Sequence, residues 1–157
     1  MKEYVHYGSK EFDINLFNQI RNIPSWGKPI GGLWASAMDA KYGWKQWCEN
    51  NEFSECNKNN SFKFTLIEDA NVFHIYSIKD LPKLPKMLQE PYALAYNNEY
   101  FIDFEKSLLT GIDAIELHLS EEIRDYNNYM ESLYYALYGW DCDCILILNP
   151  EVVVPIE

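Results

Sequence analysis

The sequence is short of positive charge. Thirteen Lys and Arg stand against 24 Asp and Glu, for a formal net charge of −11. No local basic patch offsets that balance, so duplex DNA or RNA would be repelled and direct binding of it is not expected. No apolar run approaches the roughly 18 residues of a membrane span, so no membrane partner is expected either. The opening MKEYVHYGS lacks an apolar signal stretch, and a cytoplasmic location is the expectation. The chain also lacks the phosphate-cradling glycine patterns G-x-x-x-x-G-K-[ST] and G-x-G-x-x-G, and no serine sits in G-x-S-x-G. Its four cysteines have no zinc-like spacing: Cys142 and Cys144 form a CDC, and Cys48 and Cys56 lie eight apart. Free thiols and no metal are expected.

What is present is globular. The 157 residues are 48% hydrophobic and 16% aromatic, enough for one packed domain over 1–157 without cross-links. Period-two patterning predicts strands over 3–7, 33–36, 62–67, 71–77, 113–120 and 142–149, with a last short one in PEVVVPI. Apolar residues at Phe12, Ile14, Phe17 and Ile20 have helical spacing. Further helices are predicted over about 37–49, over 99–111 ending at Gly111, and in the second half of 121–139 ending at Gly139. The segment 79–91 reads as a loop with one helical turn. Strands and helices do not alternate as βα units, which argues for an α+β domain with a mixed or antiparallel sheet and flanking helices.

Three patches carry chemistry. In HYGS, His6 to Ser9, an imidazole ends a strand beside a glycine turn, where a lone His is either structural or a ligand contact. In GGLWASAMDAKYGW, residues 31–44, a Gly-Gly pair permits a tight turn or a close approach. Trp34 and Tyr42 there are either core or the walls of a slot for a flat ligand. In YGWDCDCILILNP, residues 138–150, Asp141 and Asp143 precede an apolar strand. They serve either as cleft carboxylates or as turn formers.

Taken in order, these patches resemble the ADP-ribosyltransferase superfamily of the diphtheria-toxin and poly-ADP-ribose-polymerase type. That family carries a His-Gly-Ser/Thr step on its first strand. An aromatic-Ala-Ser strand follows, then a helix with a second Tyr, and an acidic residue at a later strand. The resemblance implies a split β-sheet core and NAD as substrate. It implies cofactor-binding roles for His6, Gly8, Ser9, Trp34, Ser36 and Tyr42, and a catalytic role for the pair Asp143 and Asp141, with Asp143 ahead. The chain departs from the pattern twice: Tyr7 stands between His6 and Gly8, and Cys144 falls where the family has Glu. The implied activity is NAD-dependent mono-ADP-ribosyl transfer to a protein or nucleic-acid target, as in a small phage or mobile-element effector. Two other readings stay open: an acidic inhibitor of a basic partner, and a transferase fold that no longer turns over.

Overall fold

The computed structural model describes residues 1–24, 26–53, 56–88, 100–119, 123 and 134–156. It is an α+β fold around one seven-stranded mixed sheet. The strands are β1 (Tyr4–Tyr7), β2 (Leu33–Ala37), β3 (Ser61–Leu66), β4 (Val72–Ile75), β5 (Ala114–Leu117), β6 (Cys144–Ile147) and β7 (Val153–Ile156). Two short α-helices, α1 (Trp44–Asn50) and α2 (Phe104–Leu109), accompany them with several 3₁₀ turns. The sheet order is β4-β5-β6-β2-β1-β3-β7. Only β4 and β5 run parallel; the other described pairs are antiparallel.

The interior strand β6 is buried on both faces, and its alternation divides the core in two. Cys144 and Leu146 join Ile75, Leu117, Phe104 and Trp140 on one side. Ile145 and Ile147 join Tyr4, Leu33, Phe64 and Val153 on the other. Both faces of the middle strands are therefore covered, which explains the near-continuous apolar run CILIL.

The helix expected from Phe12, Ile14, Phe17 and Ile20 does not form. Only a 3₁₀ turn, Ile14–Leu16, appears, capped by the Asp13 carboxylate. The apolar spacing has another cause. Phe12 and Phe17 pack on one core cluster while Ile20, 2% exposed, enters the other. A single helical face cannot serve both sides of a sheet, so the segment stays irregular and leaves Leu16 81% exposed. The helix expected from residue 37 likewise starts late, at Trp44, because Ala37 still belongs to β2, residues 38–42 turn and Gly43 takes the N-cap position. Most of the helical stretch expected over 121–139 lies outside the described residues. Its end at Gly139, with φ of +84°, is described and left-handed.

β3 and β4 follow each other across the short turn at Glu68–Ala70, yet they lie near opposite ends of the sheet. β3 pairs instead with β1 and with the C-terminal β7, where Pro155 stands opposite Phe64. Among the described residues, no helix is long and apolar enough to cross a membrane.

Candidate functional site

β1 and β2 pair only at Tyr4–Ala37 and Val5–Ser36. Beyond that point they part. β2 turns to β6 through Leu33, Trp34 and Ala35, while β1 continues on β3 through His6 and Tyr7. The His6 side chain spans the gap: its Nδ1 lies 2.7 Å from the Trp34 carbonyl oxygen. A carbonyl only accepts, so the hydrogen is assigned to Nδ1 and the Nε2 lone pair is left open. Burial pushes His6 below its ordinary 6.5, with the Trp34 carbonyl partly opposing. The ring is therefore neutral near pH 7.

Where the strands part lies a cavity of about 220 Å³, lined by His6, Tyr7, Lys28, Trp34, Ser36, Trp44, Asp141 and Cys142 among others. Its walls are rigidly held. Trp34 meets Trp140 edge to face at 4.7 Å, and Trp44 stacks on Trp47 at 4.8 Å. The Lys28 ammonium sits 5.0 Å over the Trp34 ring. Asp141 is the exposed carboxylate at this mouth.

The expected residues divide between two places. His6, Trp34, Ser36 and Asp141 share the cleft at the sheet parting. Tyr42 and Asp143 line a second cavity of about 480 Å³, with Lys2, Asp39, Glu116 and His118. Asp143 is also committed there: its Oδ2 accepts the Tyr42 N–H at 3.0 Å and its Oδ1 accepts the Leu119 N–H at 2.6 Å. The carboxylate beside the His6 cleft is thus Asp141, not Asp143. Residues 141–143 form a bend before β6, and there Asp141, Cys142 and Cys144 line the cleft while Asp143 lines the second cavity. Ser36 uses its hydroxyl structurally, donating to the Asp143 carbonyl and accepting the Trp44 N–H, both at 2.9 Å.

Gly8 and Ser9 lie just past the cleft. Gly8 has φ of +132° and gives its N–H to the Asn60 carbonyl, so that donor is taken. The Ser9 hydroxyl donates to the Glu11 carbonyl. Nor do Gly31 and Gly32 face the cleft. A Cβ on Gly31 would lie 2.5 Å from the Asn18 carbonyl oxygen, and one on Gly32 would lie 2.5 Å from Leu146 Cδ1. The glycine pair admits the chain's own backbone and core.

All four cysteines are free thiols. Cys142 is shifted down, chiefly because the Cys144 thiol hydrogen-bonds to it, while Cys144 is shifted up by the same contact and by burial. Cys56 is pushed up to about 12 by burial and by its bond to Cys48.

Sequence reading missed Lys28, which sits in an irregular Pro-Gly loop without periodicity. It also missed His74, Glu116 and His118, which the β4–β5 register brings together beside the second cavity. The one visible signal was E-L-H at 116–118, two polar groups on the same face of a strand. No family model, curated protein or solved structure matches this chain.

Proposed function

We propose that the chain is an ADP-ribosyltransferase of the family its sequence resembles, with NAD bound where β1 and β2 part. One observation carries this reading. The strand separation, bridged by His6 Nδ1 on the Trp34 carbonyl, opens a tryptophan-walled cleft with an exposed carboxylate, Asp141, at its mouth. At about 220 Å³ the cleft is smaller than the roughly 300–1,000 Å³ of pockets for drug-sized ligands. It suits the nicotinamide-riboside half of NAD, with the remainder lying along the mouth.

The geometry supports the following roles. His6 Nε2 is positioned to accept a ribose hydroxyl. Trp34 and Trp44 offer aromatic surface to the nicotinamide ring. Lys28 is the cation available to the pyrophosphate. In the reaction the C1′–N glycosidic bond breaks and its electron pair leaves with nicotinamide. The ribosyl C1′ then bonds to a nucleophile of the target, whose proton passes to a carboxylate or to water. Positive charge accumulates on the ribose in between, and Asp141 is placed to stabilise it.

The test is calorimetry with NAD, followed by nicotinamide release in the presence of a cell lysate and labelled NAD. Saturable NAD binding with transfer of label to a protein or nucleic acid supports the reading. No NAD binding at millimolar concentration overturns it.

A further inference from the structure

The second cavity carries its own chemistry, independent of the transferase reading. His74 of β4 stands opposite Glu116 of β5 in the parallel register. His118 follows two residues after Glu116 and is tied to β4 by its N–H on the Ile75 carbonyl, at 2.9 Å. Three donor atoms thereby meet. His74 Nδ1 and His118 Nε2 are 3.0 Å apart, and they lie 3.3 and 3.7 Å from Glu116 Oε2.

We infer that His74, Glu116 and His118 form a binding site for a divalent cation of the zinc type. Zinc bonds to imidazole nitrogen and carboxylate oxygen are about 2.0–2.2 Å long, which in a tetrahedron separates neighbouring donors by about 3.3–3.5 Å. The three separations bracket that edge length, so a cation can be seated with small side-chain adjustments. The donor set, two imidazoles and one carboxylate, is one that zinc uses with an open fourth position.

The surroundings support a prepared site. The Glu116 side chain is only 4% exposed, and a buried carboxylate needs compensation. Lys2 supplies some, binding Oε1 at 2.6 Å. The Tyr4 hydroxyl adds a longer contact to Oε2 at 3.3 Å. Tyr76 stacks on the His118 ring at 4.3 Å and 10°, and on His74 at 5.7 Å and 20°, which fixes both imidazole planes. Such outer contacts orient ligands before a metal arrives. Glu116 and His118 line the 480 Å³ cavity, so the fourth position faces open space there.

The experiment is zinc titration of the full chain, stripped with a chelator, against a chromophoric zinc indicator, paired with the visible spectrum of the cobalt-substituted protein. One zinc per chain is expected, with a cobalt spectrum of nitrogen and oxygen ligation. His74→Ala and His118→Ala should each weaken zinc by at least about 100-fold, the upper end of the cost of losing even an outer-shell partner. Both side chains are partly exposed, at 40% and 30%, so these variants should keep the fold, as checked by circular dichroism. Glu116→Gln provides an isosteric third variant with the same expected loss. Failure of the native chain to bind one zinc overturns the assignment. So does unchanged affinity in both histidine variants, or a thiolate-to-cobalt band, which would place the metal on the cysteines.

Discussion

Tyr42 and Asp143 hold each other twice. The Tyr42 N–H donates to the Asp143 carboxylate at 3.0 Å, and the Asp143 N–H donates to the Tyr42 carbonyl at 2.8 Å. The other carboxylate oxygen holds Leu119, so one side chain ties together three segments distant in sequence. Asp143→Ala removes the acceptor for two N–H groups. A loss of roughly 3 kcal/mol in unfolding free energy is expected, in line with bonds to charged acceptors and the penalty of orphaned donors. Urea denaturation measures it, and a loss below about 0.5 kcal/mol, the usual size for an uncommitted surface position, would show that Asp143 does not clamp these segments.

Asp141 should behave in the opposite way. It is exposed and, among the described residues, lies at the mouth of the cleft. Asp141→Asn is expected to keep stability and NAD affinity while nicotinamide release falls on the order of 100-fold, because the charge it meets arises only in the transition state. Comparing calorimetric Kd with turnover separates the two effects. Equal turnover in wild type and variant would remove Asp141 from the reaction.

The His6 shift predicts a pH dependence with a definite sign. Its folded value lies below 6.5, whereas the unfolded chain titrates near 6.5. Between the two values the unfolded state binds more protons, so stability rises with pH through that window. Acidification from pH 7.5 through 6.5 and below should therefore lower the urea midpoint. The chain's carboxylates titrate too, so the informative quantity is wild type minus His6→Asn. That difference should shrink as the pH falls, and a difference that is flat from pH 7.5 to 5 would contradict the buried neutral imidazole.

Gly31→Ala tests the glycine turn. Gly31 has φ of +77°, and a Cβ would strike the Asn18 and Gln19 backbone. Backbone cannot rotate aside as a side-chain tip can. A destabilisation of about 2 kcal/mol or more is expected from the strained φ and the clash together. Gly111→Ala is the control, with φ of +89° but open space around it. Thermal unfolding of both should show the larger drop for Gly31→Ala.

The strands were legible because their patterns are local: FKF alternates within three residues, and the apolar run CILIL reads as a strand buried on both faces. The order of those strands was not. The turn at Glu68–Ala70 looks like a connection between neighbours, but β3 is claimed by β1 and β7, whose sequences lie far away. The same limit hid the His74–Glu116–His118 cluster, since a parallel register across about 40 residues leaves no spacing to read. Helical spacing misled at Phe12–Ile20 because two faces of a sheet can each take part of an apolar set that a helix would present together. At residues 141–143 a bend replaces the alternation expected of a strand: Asp141 and Cys142 line one cleft, and the Asp143 carboxylate, gripping the Tyr42 and Leu119 N–H groups, lies in the other.

Pro155 has a consequence for how these molecules meet one another. The Ile67 N–H bonds the Val152 carbonyl, which sets the phase of β7, so residues 153 and 155 turn their backbones outward. β7 is the last strand of the sheet, and proline brings no N–H to its open side. A second chain approaching that border finds an interrupted row of donors and cannot extend the ladder across it. Replacing Pro155 by valine would complete the row beside the exposed Val154 and Ile156, and concentrated solutions of that variant should turn over time from clear to turbid.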